Sequence, residues 1–266
     1  MPTKYDHFTT IKFSIENRVL TAKLNRPDKL NVFTEQMEFE LSQFLVDGGF
    51  DDDFDIAVLT GEGRAFSAGG DIEEWMLPNV QDPSRVNPDL SKRLIFALLD
   101  FPKPLIAKLN GHAVGLGATT ALFCDVIFAS ERAKIADPHV KIGLSAGDGG
   151  AIIWPQLIGY ARAREFLMTG EFIDAKRAAD MGLINYALPP EELDAAVDAF
   201  VAKLQNGAYK AICATKKTVN LGLKQLASAV MDASIAYETL TVHSKEHAEG
   251  VDAFLNKRDP DFSGTR

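Results

Sequence analysis

The chain has 266 residues, 46% of them apolar and 24% charged, with 28 basic against 37 acidic residues and a formal net charge of −9. That composition suits one large globular domain, or a domain with an appendage, able to bury its core without disulfide staples. It speaks against a chain built to grip nucleic acid, which needs a basic face, and its two cysteines stand outside any CxxC, so with five histidines they form no zinc ligand set.

An acidic total leaves room for an anionic small ligand, because local lysines and arginines can oppose the global sign. Cys124 and Cys213 point to a reducing compartment. The start MPTKYDHFTTIKF has no secretory apolar run, so a cytoplasmic location is expected. The longest uncharged stretch, 109–124, carries Asn, His, Gly and Thr and is too short and too polar to span a bilayer, so no membrane partner is expected.

In chain order, Ile11, Phe13 and Ile15 alternate with polar residues, Asn17-Arg18 offers a turn, and Leu20, Ala22 and Leu24 alternate again. This is the pattern of a hairpin with one buried face. A helix follows, with Thr34 as N-cap and Met37, Leu41, Phe44 and Leu45 on one side. Ile56 to Leu59 suits a buried strand. The glycine-punctuated stretch 61–72 leads to a helix start near Asp71. Residues 77–89 hold Pro78, Pro83 and Pro88 and read as a mobile surface loop. Leu94, Leu98 and Leu99 mark a helix. Residues 104–109 read as a strand that runs into a turn and a Gly- and Ala-rich helix, and 126–129 and 133–136 as two more strands. Strand and helix alternate, which predicts an α/β fold with helices crossing between strands. After about residue 190 the pattern is helical over 191–207, 209–221 and 223–249. Leu226, Ala229, Val230, Ala233, Ile235 and Tyr237 make a face too broad for a lone surface helix. Cover by another subunit and packing onto the parent domain both fit that face.

Three glycine clusters carry the chemical signal: Gly69-Gly70, then Gly111, Gly115 and Gly117, then Gly143, Gly147, Gly149 and Gly150. The first two lie at strand-to-helix junctions, where unpaired backbone N–H groups stabilise negative charge. Two such junctions facing one another make a two-donor oxyanion site; tight turns and close helix packing are the structural alternative. No GKS or GKT follows the first loop, and GHAVGLGA spaces its glycines as GxxxGxG, so neither is a nucleotide fingerprint.

The stretches LNRPDKLNVF (24–33), AFSAGGDI (65–72), PLIAKLNGHAVGLGATTALFCDVIFAS (104–130), GDGGAIIWPQLIG (147–159) and EFLMTGEFIDAKRAADMGLINYAL (165–188), with the tail EGVDAFLNKRDPDF (249–262), resemble the crotonase family, also called the enoyl-CoA hydratase/isomerase family. The resemblance runs in order over almost the whole chain. It implies an α/β, crotonase-like spiral of repeated ββα units over 1–190 that carries the active site. It implies a helical region over 191–266 for oligomerisation and part of the coenzyme A site, and assembly as a homotrimer or dimer of trimers. The implied substrate is an acyl-CoA thioester, with coenzyme A as part of the substrate, no permanently bound cofactor and no metal. The family's oxyanion amides fall on Gly70 and Leu116. The coenzyme A end falls along Arg26, Lys29, Leu30, Ala68, Asp71, Ile72, Phe254 and Lys257, where the cations meet phosphates or are simply solvated.

The departures from the family pattern are informative. The positions of the two hydratase glutamates hold Thr119 and His139. Without those carboxylates the two-glutamate positioning of water is lost. His139 is followed nine residues later by Asp148, between glycines. A His–Asp pair holds a tautomer and makes the imidazole a proton carrier near neutral pH. This resembles the family's β-diketone hydrolases, exemplified by 6-oxocamphor hydrolase; the alternative is a wall histidine with an aspartate capping the next helix. Three functions follow: an acyl-CoA enzyme working through enolate stabilisation, a carbon–carbon hydrolase of β-diketones, and an acyl-CoA-binding protein that has lost catalysis. Trp75 and Met76 are placed over the acyl group. Asp125, Cys124 and Trp154 read as structural, His112 as near the pocket, and His243 with His247 as a helix face.

Overall fold

The computed structural model describes residues 3–87 and 89–265. The two alternating strands pair as an antiparallel hairpin, β1 (Ile11–Glu16) and β2 (Val19–Leu24). Asn17 and Arg18 join them with φ of 48° and 63°, the doubly left-handed turn whose twist matches the strands. Leu20, Ala22 and Leu24 are buried and their neighbours are not, as the period of two requires.

Four parallel strands continue this sheet: β3 (Ile56–Gly61), β4 (Leu105–Leu109), β6 (Val126–Ser130) and β9 (Tyr186–Leu188), in the order β1-β2-β3-β4-β6-β9. A second, three-stranded sheet holds β5 (Ala113–Val114), β7 (Lys134–Ala136) and β8 (Ile173–Asp174). Every residue of β3 is buried because both faces of the sheet are covered. On one face Ala57, Leu59, Ala107 and Leu109 join the main core with α1 (Glu35–Gly48) and α3 (Asp89–Asp100). On the other, Ile56, Val58, Ile106 and Phe128 meet Leu193, Val197 and Val201 of α7 (Pro190–Gln205). The large side chains Trp154, Phe33, Phe44, Phe54, Phe66, Phe101 and Phe166 are fully buried, each contributing about 1.5–3 kcal/mol.

The chain thus winds as repeated ββα-like units and ends in helices α7, α8 (Tyr209–Val242) and α9 (Lys245–Leu255). Helix α1 starts as expected: the Thr34 hydroxyl accepts from the Met37 N–H, and Met37, Leu41, Phe44 and Leu45 face the core. α4 (Leu116–Leu122) follows β5, and α5 (Gly150–Thr169) bends at Gly159, whose φ is 77°.

Two expectations are corrected. Residues 77–89 are not a plain loop. Asp71 caps a π-helical turn, Ile72–Met76, that runs into α2 (Leu77–Gln81), and Pro83–Arg85 forms a 3-10 turn. Pro78 is the second residue of α2 and follows directly on the π-helical turn. Pro88 lies outside the described residues. The second correction concerns 209–249: α8 runs through Gly222 without a break and the chain turns only at 243–244. The glycine costs about 1 kcal/mol in a helix, and packing of α8 on α3 and α5 outweighs that. Ala227, Met231, Ser234 and Ile235 are buried in that contact, while Val219, Leu221, Tyr237 and Leu240 stay exposed. Among the described residues, no helix is long and apolar enough to cross a membrane.

Candidate active site

Two loops meet at the end of the sheet. Ser67 bridges Ala113, the Val114 N–H donates to the Ser67 carbonyl at 3.0 Å, and Phe33 bridges Gly70. Gly69 has φ 99°, and a Cβ there would sit 3.2 Å from the Val114 carbonyl oxygen and 4.0 Å from Gly115 Cα. Only a residue without a side chain lets the loops approach this closely. Leu116 is the first residue of α4, so its N–H has no helical acceptor. Among the described residues, neither the Gly70 N–H nor the Leu116 N–H donates a hydrogen bond, and both residues line one cavity.

That inner cavity, of about 80 Å³, is lined by Trp75, Met76, Leu144, Ile235 and Val242 and carries His139, Asp148 and Glu238 on its wall. An outer cavity of about 540 Å³ is lined by Leu30, Ala68, Ile72 and Phe254, with Arg64, His112 and Lys141. Gly70, Met76 and His139 belong to both, so they form the neck between the two.

His139 is held from both edges of its ring. Nδ1 is hydrogen-bonded to Asp137, and Nε2 lies 3.5 Å from Asp148 Oδ2. The orienting partner is therefore Asp137, two residues upstream; the expectation that Asp148 plays that part is corrected. Asp148 instead faces the nitrogen that looks into the cavity. Its other oxygen accepts from the Thr119 hydroxyl at 3.2 Å and the Gly150 N–H at 3.3 Å, so Thr119 supports this carboxylate. Burial alone disfavours the charged imidazole, but Asp137 and Asp148 outweigh it, and the His139 pKa is raised well above its usual value. Asp148 is raised too, by burial, with the His139 charge opposing. The site thus sets a ring nitrogen and a carboxyl face to face at the cavity.

Two further carboxyls surround this pair, and sequence reasoning missed both. Glu238 on α8 lines the inner cavity; burial, with Asp148 adding, pushes its pKa up to about 8. It gets there because Gly147 lets α8 close in: a Cβ at 147 would lie 2.5 Å from the Ser234 carbonyl and 2.5 Å from Glu238 Cβ. The signal was present, since Glu238 stands between Ile235 and Val242 at helical spacing on the apolar face of α8. Glu38 on α1 is fully buried with neither oxygen bonded, and burial raises it to about 8 as well.

Asp137, His139 and Asp148 are the one close group of ligand-type side chains among the described residues. Their donors do not converge on a point, because the two carboxylates sit at opposite edges of the ring. The arrangement is a proton chain, not a metal ligand set.

The expected coenzyme A residues divide. Leu30, Ala68, Ile72 and Phe254 line the outer cavity; Arg26, Lys29, Asp71 and Lys257 do not. The Arg26 guanidinium is tied to Asp71 at 2.9 Å, Glu74 at 2.7 Å and the Val32 carbonyl at 3.0 Å, and so staples the 24–33 loop to the 61–76 loop. The Lys29 ammonium lies 2.6 Å from Glu73. Lys257 is exposed with φ 53°. Arg64 and Lys141, which sequence reasoning passed over, are the exposed cations at the outer cavity, and neither has a carboxylate partner among the described residues.

The remaining residues take structural positions. Asp125 accepts from the Leu105 N–H and pairs with Lys216, both at 2.7 Å, and burial pushes the Cys124 thiol up. His112 Nδ1 accepts from the Lys134 N–H at 2.9 Å. His247 is buried with Nδ1 on the Ile142 carbonyl at 2.8 Å.

Residues 14–265 match the family described as enoyl-CoA hydratase/isomerase. The 1,2-epoxyphenylacetyl-CoA isomerase of Escherichia coli (strain K12) is 33% identical over 94% of this chain and 97% of its own. The 2,3-dehydroadipyl-CoA hydratase of the same organism is 32% identical over 94% of this chain and 97% of its own. Among solved structures, an enoyl-CoA hydratase/isomerase from Mycobacterium paratuberculosis superposes with a TM-score of 0.87 at 30% identity, covering 93% of this chain and 99% of that one. The paired loops, the two-chambered cavity and the match over nearly the whole length lead to one conclusion: the chain belongs to the enoyl-CoA hydratase/isomerase, or crotonase, family.

Proposed function

We propose that the protein is an enzyme acting on an acyl-CoA thioester, with the thioester oxygen held by the Gly70 and Leu116 N–H groups and protons moved by His139 and Asp148. The observation that carries this reading is the buried imidazole between Asp137 and Asp148 at the neck of a cavity that also holds two unpaired amides. Negative charge that develops on the oxygen is stabilised by those amides; removing one such donor typically costs about 3 kcal/mol. The Asp148 carboxylate accepts a proton from the carbon next to the carbonyl, and the electron pair moves onto the oxygen as an enolate. The His139 imidazolium returns a proton to carbon, and the pair resets across its 3.5 Å gap. Asp137 fixes the ring so that Nε2 stays on the cavity side. Coenzyme A runs through the outer cavity along Leu30, Ala68, Ile72 and Phe254, with its phosphates near Arg64 and Lys141. Assembly as a homotrimer or dimer of trimers would cover Val219, Leu221, Tyr237 and Leu240.

A second reading is a carbon–carbon hydrolase of β-diketones, free or as thioesters, of the kind 6-oxocamphor hydrolase exemplifies. Glu238 beside the His–Asp pair favours it: this further carboxyl can hold the water that attacks a ketone, Asp148 takes that water's proton, the carbon–carbon bond breaks to a carboxylic acid and an enolate, and the enolate carbon takes the His139 proton. Calorimetry with coenzyme A separates the two: heat of binding supports the thioester, and none at millimolar ligand removes it. His139→Ala is expected to cut turnover on a true substrate at least about tenfold with binding retained. Unchanged turnover would remove the role of His139, and no turnover by the parent on any acyl-CoA or diketone would leave an acyl-CoA-binding protein.

A further inference from the structure

The inner cavity has two unlike ends. Gly70, Met76 and His139 are shared with the outer cavity, so the thioester sits at that end. Asn79, Ser91 and Thr239 line the inner cavity and not the outer one. Asn79 also lines a small groove beyond, with Trp75 and Arg85, which places it at the far wall of the chamber.

Asn79 is 8% exposed, and its side-chain amide makes no hydrogen bond among the described residues. The amide is open to the water of the cavity, and a ligand that displaces this water without replacing its hydrogen bond costs about 1–3 kcal/mol. A chamber for a saturated acyl chain would gain from an apolar residue at this position, because a methylene run offers the amide nothing and strips its water. Met76 and Trp75 already supply the apolar flank, Met76 Cε lying 2.7 Å from where a Cβ on Gly70 would be.

We propose that the chamber selects an acyl group that carries a second oxygen function, a ketone or hydroxyl remote from the thioester, and that Asn79 reads that oxygen through its NH₂ donors. Asn79 is thereby a specificity residue and stands outside the proton chemistry. The inference rests on the acyl-CoA reading and names its substrate class.

The test compares binding of levulinoyl-CoA, pentanoyl-CoA and free coenzyme A by calorimetry. The two thioesters have the same chain length and differ only in the remote ketone. The parent protein is expected to bind levulinoyl-CoA about tenfold or more tighter than pentanoyl-CoA, since a site built to bond an oxygen rejects the analogue lacking it. Asn79→Leu is expected to bring that ratio to one or below with coenzyme A affinity unchanged. Asn79→Asp, of the same shape but without the NH₂ donors, is expected to lose the preference too. Equal binding of the two thioesters by the parent overturns the proposal, as does a preference that survives in Asn79→Leu. Binding of coenzyme A without discrimination overturns the specificity alone. Binding of none of the three ligands overturns the thioester reading with it.

Discussion

Replacing Asp137 with Asn tests the charge logic of the site most directly. The amide keeps the shape of the side chain, and its oxygen still accepts from His139 Nδ1, so ring orientation survives. What is lost is one of the two carboxylates that hold the imidazole charged in a buried place. A hydrogen bond to a charged group contributes about 1.5–3 kcal/mol, so the proton affinity of His139 should fall about ten- to hundredfold. The assay is a proton NMR titration of the His139 ring in both proteins. A folded-state pKa raised above the unfolded one gives stability that is complete below the ordinary imidazole range and disappears as pH rises through the raised value. Urea unfolding should therefore show the variant weaker than the parent in mildly acidic solution, with the gap closing in alkali. If the ring titrates at the same pH in both proteins, Asp148 alone sustains the charge and the assignment of Asp137 is wrong.

Three other outcomes are expected. Leu116→Pro removes one amide donor at the first position of α4, where proline suits a helix; turnover should drop by about 10²–10³ while circular dichroism stays native. Glu38→Gln should stabilise the fold at neutral pH by roughly 3 kcal/mol, because a carboxyl with its pKa at about 8 in the folded state is ionised only when unfolded, and stability falls as pH rises from the usual carboxylate range toward 8; equal denaturation midpoints at pH 7 would contradict this. Arg26→Ala strands the buried Asp71 carboxylate and should cost about 3 kcal/mol of stability on thermal melting with coenzyme A affinity little changed, whereas Arg64→Ala should weaken coenzyme A in a salt-dependent way; the reverse pattern would return Arg26 to the phosphates.

The hairpin, the Thr34 cap, the buried β3 run and the α1 face were legible because each depends on residues within a few positions of one another. The junction glycines were legible as candidates for the same reason. The 77–81 helix was not, since proline reads as a breaker until its place in the first turn is known. The α8 helix passed for two because the local cost of Gly222 is visible in the sequence and the packing that offsets it is not. Arg26 and Lys29 looked like phosphate ligands for want of their partners: Asp71 and Glu73 lie 45 and 44 residues downstream.

By itself, then, the sequence determined the alternation of strands and helices, the two glycine junctions, and the exchange of the glutamate positions for Thr119 and His139. Tertiary structure decided which carboxylate holds which nitrogen. The turn at Pro138 (φ −91°, ψ 26°) folds His139 back onto Asp137, Gly147 admits Glu238 from a helix some ninety residues on, and Thr119 reaches Asp148 across 29 residues. Helix and strand periods arise from short-range sterics and are written in neighbouring residues. Proton affinity arises from desolvation and from charges a few ångströms away, and that distance exists only once the chain has closed on itself.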